Sequence, residues 1–277
     1  MKPLIAWFGL VAAGAVTATS LSGTATSSAA TDTTPPTLVA PVAADFLVGS
    51  TIGQVIPGIV TGLGPTGDIS MRARWRATDP SGICGYGIRE VFAGVSATWS
   101  PWGPITSATR STSDYNGEAG GGADKFEGYR VRARDCAGNI ASTFIAYFPS
   151  VYEEDGSTFN GVPLTGPSYR GTWHTSKCSC FSGGATRNTT QSGASVTFRP
   201  GAGVRHTALV MEKSPLRGSV RVFVNGALKA TVSTHSATTV HRAVVWNATT
   251  GSATIKLVNV ATAGHPRIDL DAILTDR

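Results

Sequence analysis

The chain has 277 residues, of which 14% are charged and 41% hydrophobic, a balance that excludes an intrinsically disordered chain. Its 33 glycines and 15 prolines are scattered without a triplet period, which excludes a collagen-like rod, and no window is dominated by strong helix formers. The net charge of +6 permits contact with acidic polymers such as teichoic acids or acidic glycans without requiring it.

Lys2 precedes the apolar stretch Leu4 to Val16, and small residues fill Thr17 to Ala30. This is the order of a secretory signal peptide over residues 1–30, with an apolar core too short to span a membrane comfortably. No later window reaches spanning length, so a secreted, extracellular chain with no stable membrane span is expected. Its four cysteines, Cys84, Cys136, Cys178 and Cys180, would then meet an oxidising compartment.

From Thr37 to Phe148 short alternating runs are separated by Gly, Pro, Ser and Asp. In Ile69 to Ala77, Met71, Ala73, Trp75 and Ala77 face one way and Arg72, Arg74 and Arg76 the other. In Tyr129 to Asp135, Tyr129, Val131 and Ala133 face in, and Arg130, Arg132 and Arg134 face out. Such period-two alternation predicts strands with one buried face. Ile83 to Phe92 and Ser142 to Phe148 are further strand candidates, and the set predicts an antiparallel sandwich over residues 31–150.

Within it, Trp75 to Ile83 (WRATDPSGI) and Tyr129 to Asn139 (YRVRARDCAGN) resemble bacterial fibronectin type III or Ig-like modules. The resemblance implies a spacer or adhesion unit in which these stretches run into turns at one end of the sandwich. A Cys84–Cys136 bridge would staple those turns and contribute roughly 2–4 kcal/mol by constraining the unfolded chain. Asp79, Asp135 and Asn139 lie at the same end, as turn residues bonding nearby amides or as a calcium site. The two arginine rows belong to opposite sheets, so they are expected as solvated outer faces, and no nucleic-acid partner is expected. Trp99 and Trp102 are either an exposed sugar platform or an aromatic cover on the core.

Tyr152 to Gly156 (YEEDG) marks a change of unit, and a second, different set of strands fills residues 151–277. The candidates are Ala194–Phe198, Thr207–Met211, Val220–Val224, Leu228–Val232, Val240–Trp246, Ala253–Val260 and Ile268–Leu274. The Asn225-Gly226 pair between two alternating runs is a strong hairpin signal. Tyr169 to Trp173 (YRGTW), Ser182-Gly183-Gly184, Val220 to Gly226 (VRVFVNG) and Arg267 to Ile273 (RIDLDAI) resemble the galactose-binding-like jelly roll of carbohydrate-binding modules, as found in actinobacterial secreted proteins.

The expected fold class is therefore all-β: an Ig/fibronectin-III-like sandwich followed by a jelly-roll β-sandwich. A sugar site needs an aromatic face and a few fixed polar groups, and Tyr169, Trp173 and His174 are the ligand candidates, with Trp173 alternatively packed in the sandwich. The resemblance also implies a structural calcium between opening and closing acids, here Glu154 and Asp271, within a set that includes Glu153, Asp155 and Asp269. Otherwise these acids are linker and strand-end residues, and no other cofactor is expected. Cys178 and Cys180 form a local disulfide, or, with His174, ligands for zinc or copper, or stay as thiols.

No GxSxG, HExxH or GxxxxGK[ST] motif occurs, and the five histidines all follow residue 173. A non-catalytic binding protein is expected, its partner a glycan or cell-envelope polymer. The alternative is a surface adhesion protein making protein contacts with no sugar site.

Overall fold

The computed structural model describes residues 32–53, 68–92, 95–96, 98–113, 127–147, 149–158 and 164–277. The expected signal segment lies outside them. Among the described residues every regular element is a strand apart from one turn of 3-10 helix at Ser182–Gly184, so the chain is all-β. No helix among them is long and apolar enough to cross a membrane.

The first sandwich contains β1 (Thr37–Phe46), β2 (Asp68–Thr78), β3 (Ile83–Phe92), β4 (Val95–Ser96), β5 (Ser107–Ser113), β6 (Glu127–Asp135) and β7 (Ile140–Tyr147). One sheet runs β1-β2-β5 and the other β4-β3-β6-β7. The alternation read in the sequence is what packs them. Met71, Ala73 and Trp75 of β2 are buried in one core with Tyr129, Val131 and Ala133 of β6. Two polar groups cross that core satisfied, as buried donors and acceptors require. The Ala77 amide donates to the Tyr86 hydroxyl (2.9 Å), and Trp75 Nε1 donates to the Ile105 carbonyl (2.7 Å). Cys84 and Cys136 are disulfide-bonded, joining the start of β3 to the turn after β6.

The second sandwich contains β8 (Pro149–Glu153), β9 (Leu164–Arg170), β10 (His174–Lys177), β11 (Ala185–Thr189), β12 (Ser195–Pro200) and β13 (His206–Lys213). It continues with β14 (Ser219–Val224), β15 (Ala227–Ser233), β16 (Val240–Thr249), β17 (Ile255–Asn259) and β18 (Ile268–Asp276). A five-stranded sheet, β15-β14-β17-β12-β9, faces a six-stranded one, β10-β11-β18-β13-β16, with β8 also paired to β18. Asn225 and Gly226 both take positive φ (48° and 80°), the conformation that a tight two-residue hairpin turn demands between β14 and β15. Val196, Phe198, Leu209, Met211, Val222, Leu257 and Leu270 fill the space between the sheets.

Residues Thr33–Arg277 form one compact unit. The reason lies in β13 and β18, whose residues are buried on both faces. Ala208, Val210, Val244, Ala272 and Leu274 turn outward from the second sandwich and join the core of the first, beside Phe46 and Ile52. Backbone bonds stitch the same seam: the Val244 amide donates to the Ser50 carbonyl (2.8 Å) and the Ile52 amide to the Arg242 carbonyl (3.0 Å). The unbroken apolar run Ala208-Leu209-Val210-Met211 is the signature of a strand covered on both sides, and it is the sequence signal for this seam.

Candidate functional site

Two groups of side chains meet where β9, β10 and β11 approach the opening strand β8. The first is aromatic. Tyr169 on β9 and Trp173 in the following loop meet edge to face, with ring centroids 4.9 Å apart and planes at 63°. Both are half-buried against the second core. Their polar tips are held by backbone: the Tyr169 hydroxyl donates to the Glu154 carbonyl (2.5 Å) and Trp173 Nε1 to the Arg170 carbonyl (3.1 Å). The Arg187 guanidinium from β11 lies 5.5 Å from the Tyr169 ring centre. Burial pushes the Tyr169 hydroxyl well above its usual range, with the Glu154 charge adding to the effect, so it is a fixed donor. His174 opens β10 with its side chain exposed.

The second group is acidic. Ser182 bridges both ends of the sandwich: its amide donates to Asp271 Oδ1 (2.9 Å) and its hydroxyl to Glu153 Oε1 (3.0 Å). The other two oxygens, Glu153 Oε2 and Asp271 Oδ2, are buried without a hydrogen-bond partner. Glu153 is 3% exposed and Asp271 0%. Burial drives the Glu153 carboxyl up to about 8, and the nearby Asp271, Glu154 and Asp155 charges push the same way against the Ser182 hydrogen bond. Burial likewise drives Asp271 up to about 8, aided by Glu154 and Glu212 and opposed by the Ser182 amide and Arg242. The turn that delivers Ser182 passes so close that a Cβ on Gly183 would sit 2.7 Å from the Glu153 carboxyl carbon. Gly183 also has φ +59°, so glycine is required twice over.

Of the opening acids, Glu153 therefore shares Ser182 with Asp271. Glu154 contributes its carbonyl to Tyr169, and burial raises its own carboxyl. Asp269 is occupied elsewhere: it pairs with Arg217 and Arg267. Arg217 also binds Glu212 (2.6 Å), whose second oxygen faces His241 (3.3 Å). This buried network lay hidden in the sequence. Its only trace is a glutamate, Glu212, directly after the apolar run of β13.

Cys178 and Cys180 are bonded to each other, which removes both sulfurs from any metal set with His174. Asp79 accepts from the Ser81 amide (2.8 Å) and hydroxyl (2.7 Å), and Asp135 accepts from the Asn139 amide (2.8 Å) and side chain (2.8 Å), as turn residues do; their carboxylate oxygens also lie within 4.8 Å of one another and of Asp32, so both alternatives keep their geometry. A cavity of about 500 Å³ lies between the sandwiches, lined by Asp45, Arg74, Arg205 and His206 among others; Arg74 faces Asp45, and Arg205 and His206 face Asp276. Trp99 and Trp102 neither stand free nor enter the core. They lie half-exposed on the outer face of the β4-β3-β6-β7 sheet, against the arginines of β3 and β6.

No family model matches the chain, and no curated protein does. Solved structures do. The CBM36-1 domain of a multidomain xylanase from the hindgut metagenome of Trinervitermes trinervoides is similar over 46% of this chain and 95% of that one, at 17% identity and a TM-score of 0.30. A Clostridium perfringens ZmpB structure, holding CBM51-2 in complex with GlcNAc and INT domains, is similar over 54% of this chain, at 16% identity and a TM-score of 0.27. An exo-beta-1,3-galactanase from Phanerochaete chrysosporium is similar over 81% of this chain, at 17% identity and a TM-score of 0.31. This chain spans 37% of the second structure and 55% of the third.

Proposed function

We propose that the chain is a non-catalytic binding protein that works outside the cytoplasm and recognises a glycan or cell-envelope polymer through its second sandwich. The observation that carries this reading is the Tyr169–Trp173 pair. Two half-exposed rings stand beside the Arg187 guanidinium and the Glu154 carbonyl, the combination of apolar face and fixed polar groups that a sugar ring needs. We read His174 as a flanking exposed contact, and the first sandwich, with its three-plus-four strand order, as a fibronectin-like spacer. Two disulfides suit an oxidising compartment.

Binding without turnover is supported by the placement of the acids. Glu153 and Asp271, the closest approach to a carboxyl pair in the site, are closed off from solvent and share one serine, so a substrate has no access to them. Their two unpartnered buried oxygens are hard donors of the kind calcium takes. Glu153 and Asp271 would hold such an ion, which would supply charge neutralisation between the opening and closing strands. The same ion would steady the Glu154 carbonyl that anchors Tyr169.

A glycan array probed with the full chain, alongside Tyr169→Ala and Trp173→Ala, tests the reading. Glycans retained by the parent and lost by either variant are the expected result. Retention of no glycan by the parent overturns it in favour of a surface protein making protein contacts, and identical retention by both variants overturns the Tyr169–Trp173 surface as the site.

A further inference from the structure

A second surface, on the first sandwich, has a different chemistry. β3 carries Gly85 and Gly87 on its outer face, opposite Arg134 and Arg132 of β6, so the middle of this sheet face is bare of side chains. The segment Thr98–Gly103 is pinned along the far side of β3. The Ser100 amide donates to the Ile88 carbonyl (2.7 Å), and Tyr86 and Gly103 exchange backbone bonds of 2.8 and 2.9 Å. Trp99 and Trp102 fold from this segment onto the bare strip while arginines reach it from β6. Arg132 lies so low that a Cβ on Gly87 would sit 2.5 Å from its Nε.

The result is an alternating stack. The Arg89 guanidinium is 4.8 Å from the Trp99 ring centre. Arg132 is 4.5 Å from Trp99 and 4.1 Å from Trp102, and Arg134 is 4.7 Å from Trp102. Arg130 continues the row over Phe144 at 5.7 Å. Stacking fixes the plane of each guanidinium and leaves its charge intact. Among the described residues none of these four arginines is ion-paired with a carboxylate; the one side-chain hydrogen bond in the stack is a long one, 3.4 Å from Arg132 Nη2 to the Ser100 carbonyl. Alternate residues along a strand are about 6.7 Å apart, so Arg130, Arg132 and Arg134 form a row of roughly 13 Å. Arg89 stands across from Arg130.

We propose that this arginine–tryptophan face binds a linear anionic polysaccharide bearing carboxylate or sulfate groups, independently of the Tyr169–Trp173 surface. Charge complementarity and fixed N–H donors select repeated oxyanions. Each indole already has two guanidiniums within about 5 Å of its ring centre, which compete for the ring face that a neutral sugar or a nucleobase would stack on. Arg72 and Arg74 of β2 provide the contrast: both reach the single carboxylate of Asp45, at 3.5 and 3.0 Å, which cancels one of their two charges.

The test is affinity of the full chain for immobilised polygalacturonate and dextran sulfate at about 50 mM salt, where charge attraction is only weakly screened, with neutral dextran and a single-stranded oligothymidylate alongside. Expected are binding to at least one of the two anionic polymers, its loss as salt rises, no binding to neutral dextran, and only weaker, phosphate-driven binding of the oligonucleotide without quenching of tryptophan fluorescence. Arg132→Gln should weaken binding about tenfold and Arg74→Gln less than about twofold. Tyr169→Ala should leave it unchanged, which separates this surface from the proposed sugar site. If circular dichroism finds Arg132→Gln misfolded, Arg134→Gln, at the end of the stack, serves with an expected loss of about fivefold. No binding to either anionic polymer, equal loss from Arg74→Gln, or oligothymidylate bound as tightly with quenched tryptophan fluorescence would each overturn the proposal.

Discussion

In the first sandwich the arginines of β2 and β6 stay on the outer faces, whereas in the second Glu153, Glu212, Asp269, Asp271 and Asp276 are all inside. The difference follows from what covers each sheet. The β1-β2-β5 and β4-β3-β6-β7 sheets hide one face apiece, so alternation alone sorts charge from core. The six-stranded sheet of the second sandwich is covered on both sides, and its outward acids are roofed by the first sandwich, the Ser182 turn and the Arg217 loop. Period-two patterning therefore says which residues share a face. It does not say whether that face meets water.

The sharpest way to break the contrast is to strip the buried acids of their cation. Arg217→Met should cost about 3 kcal/mol in urea denaturation, because Glu212 would remain inside without its arginine while Asp269 keeps only Arg267. A loss below about 1 kcal/mol would mean that the pocket is wet.

The Ser182 acids come next. Their carboxyls are raised to about 8 in the folded protein, so between their ordinary range and that value the fold binds more protons than the unfolded chain. Stability in chelator should therefore be greatest near the acid end of this window and fall as pH rises towards 8. The slope is up to about 1.4 kcal/mol per pH unit for each acid. Calcium should raise the thermal midpoint at pH 8 and flatten the slope, and Glu153→Gln should remove most of the calcium effect and about half of the slope, since Asp271 keeps its own burial. A midpoint indifferent to calcium and to pH across that window would remove the basis for an ion between β8 and β18.

On the first sandwich, Gly87→Val should cost about 1–3 kcal/mol by forcing Arg132 off β3, and should shift tryptophan emission as the stack opens. The smallest effect belongs to the other arginine row. Asp45→Asn frees Arg72 and Arg74, both partly exposed, and should change stability by less than about 1 kcal/mol, the more weakly the higher the salt. Equal losses from Gly87→Val and Asp45→Asn would erase the distinction between an ordered cationic stack and an ordinary surface pair.

The same residues measure how far the sequence could be read. Met71, Trp75, Tyr129 and Val131 announced their strands and their buried side, and Asn225-Gly226 announced its hairpin, because these depend on local backbone geometry. β9 and β10 gave little sign: they are short, largely exposed edges in which no apolar alternation is needed. Trp99 and Trp102 were open between sugar platform and core cover because their fate rests on Gly85 and Gly87, more than ten residues away and silent by composition. The outward β6 arginines were read correctly as outward, but not as stacked. In the acid site the residue types and both chain ends were legible. That Glu153 rather than Glu154 meets Ser182 is a matter of one residue of strand register, which flips a side chain to the opposite face.

Strand β8 sets Val151 in the core of the first sandwich and the very next residue, Tyr152, in that of the second. Consecutive residues anchored on opposite sides leave no hinge. The chain should melt in one transition and, under mechanical load, behave as a stiff bracket and not as beads on a string. Anything gripped by one sandwich would then be presented at a set angle to whatever the other one touches.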